Sequence, residues 1–298
     1  MKKCLLVTGH SGFIGSALVS ALGREGEFEV IGISRFEGKD LSNPDALNEV
    51  EQAVKIVHLA GSVGVLQGWA NPYETYRNNL LCALSVLEFA RLHKTPVIYM
   101  SSYTYGIPQY LPIDENHPIR CGNPYATSKR QAELLCEAYA RDFGIPVTIL
   151  RPFNIYGLGQ IRGDLISSII RQAREENSIG VKDLRPKRDY LYIDDLIEAI
   201  LKVIHSEQEG LEIYNLGSGK SYSAQEVIDI VLKLTRKPLE VHSSEKSRPN
   251  EIMDCYSDSR KFSNQFAWKP KVSLEEGIKK LIQSFPSSEV ARGRYEKS

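Results

Sequence analysis

The chain has 298 residues, 42% of them apolar and 25% charged, enough to bury one large core with a smaller lobe attached. Lys plus Arg and Asp plus Glu each number 37, so the formal net charge is zero and the global basic field that nucleic-acid binding draws on is missing. The five cysteines are scattered without a Cys-x-x-Cys pair, which predicts reduced thiols and no metal centre. The apolar run before Thr8 is too short for a signal segment or membrane span, so a cytoplasmic protein without a membrane partner is expected.

Short apolar runs at 4–8, 29–33, 56–60, 97–100 and 147–150 read as buried parallel strands. Between them, 13–22, 72–92 and 125–143 carry apolar residues at helical spacing. The alternation predicts βαβ units wound right-handedly onto both faces of one sheet, an α/β doubly wound fold over residues 1–155. After Pro152 the texture turns richer in Gly, Arg and polar residues, and capping-box sequences at Ser223 to Glu226 and Ser273 to Glu276 mark helix starts. Residues 156–285 are expected to form a smaller α/β lobe, with 190–193 and 213–216 rejoining the main sheet, and 286–298 a polar frayed tail.

The segment VTGHSGFIG places Gly9, Gly12 and Gly15 between the first strand and first helix. A tight turn, close backbone approach to a pyrophosphate, and tight helix packing each favour a residue without a side chain there. A glycine triplet alone also fits an ordinary turn, but its placement favours dinucleotide binding, with Ser11, Phe13 and Ile14 completing the loop. Farther on, Tyr125 and Lys129 lie four residues apart on one helix face. A phenol is a poor acid or base at neutral pH unless a nearby ammonium and a cationic nicotinamide favour its phenolate, and Lys129 could also hold the ribose. Upstream, Ser101 and Ser102 end a strand at the carboxyl edge of the sheet, where a hydroxyl can bond the oxygen that Tyr125 protonates or deprotonates.

These features, with DLS at Asp40, HLAG at His58 to Gly61, Asn79, SSYTYG, NPYATSK, LRPFNIYG, RDYLYIDD, YNLGSG and RPNE in order along nearly the whole chain, resemble the extended short-chain dehydrogenase/reductase family. That family has a Rossmann-like fold and includes nucleotide-sugar epimerases, dehydratases and 4-keto reductases. The resemblance implies that Asp40 and Leu41 contact the adenine and that Leu59, Ala60, Gly61, Asn79 and Pro152 line the cofactor. It implies a catalytic set of serine, Tyr125 and Lys129. Counting back from Tyr105 and Gly106 selects Ser101, the preferred choice, whereas counting forward along the strand selects Ser102. Tyr103 and Asn154 would meet the sugar, and Arg188 and Arg248 would grip the diphosphate, for which a planar guanidinium fork is suited.

Three departures narrow the chemistry. The second strand ends in Ser34 and Arg35, where NAD-preferring relatives carry an acid for the ribose hydroxyls, so NADP(H) is favoured, with NAD(H) the alternative. The stretch 35–40 is too short for the usual helix and strand and resembles the reductase branch. Tyr103 and Thr104 stand where dehydratases carry an Asp-Glu pair, which argues against dehydration. Branch members that also epimerise ring carbons have a Cys near position 103 and a downstream His; Tyr103 and the His-free stretch 154–187 argue against that step. The expected function is 4-keto reduction of a nucleotide-linked deoxyhexose. A 4-epimerase with the same residues is the alternative, and a non-catalytic NADPH-binding protein a third reading. The loop 62–69 is expected to line the sugar pocket, and the helices at 72–92 and 125–143 resemble those that pair subunits into a homodimer.

Overall fold

In strand β1 (Lys3–Thr8), Leu5, Leu6 and Val7 are fully buried, and the pleat sends Leu5 and Val7 to one apolar cluster and Leu6 to the other. A strand apolar on both faces needs helices on both sides. The computed structural model, which describes residues 2–160, 164–245 and 251–284, supplies them. Helix α1 (Phe13–Glu25) leads to β2 (Phe28–Ile33). The chain then crosses through 3₁₀ turns at Arg35–Glu37 and Pro44–Leu47 to β3 (Lys55–His58). Helices α2 (Val65–Ala70) and α3 (Pro72–His93) precede β4 (Val97–Met100), and α4 (Pro124–Phe143) precedes β5 (Val147–Pro152).

The second half comprises β6 (Asn154–Tyr156), α5 (Leu165–Glu175), β7 (Ser178–Val181), β8 (Lys187–Tyr192) and α6 (Ile193–His205). It continues through β9 (Leu211–Leu216), β10 (Ser221–Ser223), α7 (Ala224–Thr235), β11 (Glu240–Ser243), α8 (Arg260–Phe266) and α9 (Leu274–Ser284). The main sheet runs β2-β1-β3-β4-β5-β9, all parallel, the expected doubly wound architecture. Strand β2 forms one edge of the sheet, and no α-helix or strand, only 3₁₀ turns, stands between it and β3. Strand β3 ends at His58 rather than position 60: Leu59 N–H to Thr8 O (3.1 Å) is its last ladder bond to β1, and the next amide, Ala60 N–H, turns to the Thr8 side chain (3.3 Å).

Of the two segments expected to rejoin this sheet, 213–216 does so in β9. The segment at 190–193 does not. Its strand, β8, is the centre of a separate sheet, β10-β8-β6. Asp189 explains the difference. Its buried carboxylate accepts Ser218 N–H (2.7 Å) and Oγ–H (2.6 Å), Gly219 N–H (3.1 Å), and Ser257 N–H (3.0 Å) and Oγ–H (2.7 Å). Those bonds tie β8 to the turn that follows β9 and to Ser257. The capping box at Ser223 and Glu226 is complete, whereas Ser273 receives the Glu276 amide at 3.3 Å. The predicted tail, 286–298, lies outside the described residues.

Helix α4 begins where Asn123 Oδ1 accepts the Ala126 amide (2.9 Å) with Pro124 in the first turn, and ends at Gly144 with φ 68°. One turn beyond Lys129, Glu133 is 0% exposed and takes Arg151 Nε (2.9 Å) and Nη2 (2.7 Å) from β5, while Arg130 Nη1 adds a third bond at 3.0 Å. Removing one member of a buried pair strands the other charge, at a cost of about 3–5 kcal/mol. Glu133→Gln and Arg151→Met should each lose stability on that scale in urea unfolding, and the double variant Glu133→Leu/Arg151→Met should lose less than the sum of its singles.

Candidate active site

The β1–α1 loop leaves no room for side chains. Gly9 adopts φ +70°, and a Cβ there would stand 2.8 Å from Ala60 N; one at Gly15 would stand 2.2 Å from Gly9 O. Gly12 is the N-cap of α1 and offers no side chain to the first-turn amides. Those amides and the positive end of the helix dipole therefore suit an anion. Across the cleft, a Cβ on Gly61 (φ +153°) would lie 2.5 Å from Asn79 Oδ1 and 3.8 Å from Lys129 Nζ, so all three converge. Asn79 is fixed by Ser62 N–H (2.7 Å) and by its own amide bonds to Ser62 O (3.2 Å) and Ser128 Oγ (2.8 Å). A dinucleotide fits this cradle: Gly9, Ser11, Gly12 and Gly15 could hold the pyrophosphate, and Gly61, Asn79 and Lys129 the ribose beside the nicotinamide.

In the turn after β2, Ser34 Oγ lies 2.5 Å from Ser11 Oγ, and exposed Arg35 has no ion-pair partner among the described residues. Asp40 turns Oδ1 onto the Ser42 amide (2.9 Å), a bond that holds its carboxyl below the ordinary value. Leu41 is buried in the core, with its carbonyl held by Ser85 Oγ–H at 2.8 Å. Phe13 and Ile14 pack against the core from the start of α1, and Pro152 ends β5 beside Leu216.

Tyr125 and Lys129 share a face of α4. Burial raises the Tyr125 phenol above its ordinary value, and a hydrogen bond with Ser102 opposes the rise. Lys129 Nζ donates to Met100 O at 2.8 Å, and burial lowers its ammonium to about 8. The two candidate serines differ in their surroundings. Ser101 Oγ–H is buried and committed to Glu133 Oε1 (2.5 Å), whereas Ser102 is close enough to Tyr125 to oppose the rise of its phenol.

Tyr103 stacks on Phe153 (centroids 5.0 Å, 15°), donates to Asn154 Oδ1 (3.1 Å), and is pushed up to about 12 by burial. Asn154 in turn donates to Asp189 O at 3.0 Å. Arg188 donates to Ile252 O (2.6 Å) and pairs with Glu251 Oε1 (2.5 Å), so a diphosphate would have to share or displace that carboxylate. Arg248 lies outside the described residues. The expected loop at 62–69 is partly helix α2, whose Gly68 fits against the Tyr125 backbone, since a Cβ would be 3.0 Å from Tyr125 N.

Three buried residues behind the site went unassigned in the sequence. Thr8 Oγ1 bonds His58 Nδ1 at 2.7 Å beneath the cofactor cleft, and burial, aided by the Lys129 charge, lowers His58 to about 3 and keeps it neutral. Glu133 holds Ser101. The only signal for His58 was its place in HLAG; for Glu133 it was an acid four residues beyond Lys129 on the apolar side of the helix.

The description of the NAD dependent epimerase/dehydratase family matches residues 5–217. A putative UDP-glucose 4-epimerase of Methanocaldococcus jannaschii is 31% identical over 302 residues, covering 93% of this chain and 97% of that protein. A GDP-6-deoxy-D-mannose reductase of Pseudomonas aeruginosa is 30% identical over 302 residues, covering 96% and 98%. Among solved structures, that of RMD from Pseudomonas aeruginosa complexed with NADPH superposes with a TM-score of 0.87 at 29% identity, covering 95% of this chain and 98% of that one. Together with the cradle and the Tyr125–Lys129 helix, these matches mean that the chain belongs to the NAD dependent epimerase/dehydratase family.

Proposed function

We propose that this protein is an NADP(H)-dependent reductase acting on a ketone at carbon 4 of a nucleotide-linked deoxyhexose. The observation that carries the reading is the adenosine end of the cradle, where Ser11, Ser34 and Arg35 gather donors and no acid stands at the end of β2. Such a cluster suits a 2′-phosphate. The reductase relative at 30% identity supports the same chemistry. When bound, the reduced dinucleotide supplies the hydride. Tyr125, kept protonated by burial, gives its proton to the ketone oxygen, Ser102 orients that oxygen, and Lys129 stabilises the phenolate left behind. Tyr103 and Asn154 hold the sugar, with Arg188 toward the diphosphate. No carboxylate follows Ser102, since Tyr103 and buried Thr104 occupy those positions, so the site lacks the acid-base pair that dehydration requires.

The second reading is a 4-epimerase retaining NAD⁺, favoured by the 31% identity to a putative UDP-glucose 4-epimerase. A cytoplasmic homodimer is part of the proposal: α3 and α4 pack together and leave Leu81, Leu84, Leu92, Leu134 and Phe143 exposed. No helix among the described residues is long and apolar enough to cross a membrane.

With GDP-, dTDP- and UDP-linked 4-keto-6-deoxyhexoses, NADPH oxidation should match alcohol formed one for one with at least one substrate. Failure with all of them, with NAD⁺-dependent interconversion of UDP-glucose and UDP-galactose instead, would select the epimerase. Tyr125→Phe should lower kcat by about 10²–10⁴ and Ser102→Ala by about 10². Ser101→Ala should act mainly on stability, costing about 1–3 kcal/mol; a kcat loss from Ser101→Ala matching that from Ser102→Ala would reverse the assignment.

Lys129 also predicts a pH dependence. Its folded value of about 8 lies below the ordinary 10.5, so between those values the unfolded chain binds a proton that the folded protein has released. Its burden on the fold is full below pH 8 and vanishes as pH rises through 10.5. The stability of Lys129→Met relative to the parent should therefore fall between about pH 7 and about pH 10, as read by urea midpoints.

A further inference from the structure

At the adenosine end, two side-chain contacts staple the glycine loop to the turn after β2. One is the Ser11–Ser34 hydroxyl pair. The other, His10 Nε2 to Glu37 Oε1 at 3.1 Å, has no role in the chemistry described so far. The His10 ring is firmly seated: a Cβ at Gly32 would strike its Cγ and Nδ1 at 2.7 Å, so only glycine on β2 lets the imidazole lie there. Its Nδ1 is buried without a hydrogen-bond partner. A neutral imidazole in that setting keeps its proton on Nε2, which then donates to Glu37.

Glu37 is the acid carried by the Arg35–Glu37 turn, which Ser34 caps through the Phe36 amide at 3.2 Å. It therefore stands four residues past the end of β2, in the same turn as Ser34 and Arg35. We propose that His10 and Glu37 form a selector for the substituent at the adenosine 2′ position. His10 ties the carboxylate back against the glycine loop, leaving Ser34 and Arg35 to receive a 2′-phosphate. Released, Glu37 would stand as a like charge beside that phosphate and as an acceptor for a 2′-hydroxyl, shifting preference toward NADH. The inference rests on the placement of the adenosine end proposed above.

The test is equilibrium titration of NADPH and NADH into the parent, His10→Ala, Glu37→Gln and the double variant, read as the ratio of the two dissociation constants. His10→Ala should reduce the preference for NADPH by about fivefold, the scale of one unpaired like charge a few ångströms away in water. Glu37→Gln should hold or raise that preference. Glu37 is half exposed, so its replacement leaves the fold intact. The double variant should match Glu37→Gln alone, because His10 acts through Glu37. The proposal is overturned if His10→Ala weakens both cofactors by one factor, the result of simple loop packing, or if the double variant keeps the fivefold drop. A parent that prefers NADH, with ratios that still move as stated, would uphold the selector and sink the NADPH reading. A parent that prefers NADPH, with ratios that do not move, would sink the selector alone.

Discussion

A fully buried carboxylate fixes the geometry of this site. Glu133, on the inner face of α4, gathers the Arg151 guanidinium from β5, the Arg130 guanidinium from its own helix and the hydroxyl of Ser101 at the end of β4. The chain of bonds continues from Arg151 to Tyr105 Oη (2.9 Å), to Asn215 Oδ1 on β9 (2.6 Å), and through the Asn215 amide to Glu115 (2.7 Å). A charge in that position is tolerable only if each acceptor site is filled. Filling them locks the helix bearing Tyr125 and Lys129 to the strand ends that bear Ser102 and Met100. Rotation or sliding of α4 would break several bonds at once.

That lock sets the charges of the reacting groups. Lys129 has lost most of its water and gained one carbonyl, which brings its ammonium into a range where its charge responds to its neighbours. His58 is neutral beneath it, so it does not compete as a second cation. The phenol of Tyr125, raised by the same burial, is an acid with a proton to give rather than a phenolate waiting to receive one.

The fold and the first half of the site were legible because their signals are local. Glycines at a strand-to-helix junction, and a tyrosine four residues before a lysine, mean the same thing wherever the surrounding chain goes. The tie that buries Ser101 was not legible, since it reaches a glutamate 32 residues away. Strand β8 reads as an ordinary buried strand, and only the ties from Asp189 to Ser218 and Ser257 lift it out of the main sheet. Arg188 could be named from the sequence only as a candidate anion grip, whereas its pairing with Glu251, 63 residues further on, could not be read. In each case the missing information was a long-range polar contact, which leaves no period in the sequence.

Net reduction requires a cofactor that arrives reduced and leaves oxidised, whereas internal epimerisation keeps one dinucleotide in place through every cycle. The most direct measurement is to denature the freshly purified protein and identify and count the dinucleotide released. The account predicts an empty site or substoichiometric NADP(H). One equivalent of NAD⁺ per chain would contradict it.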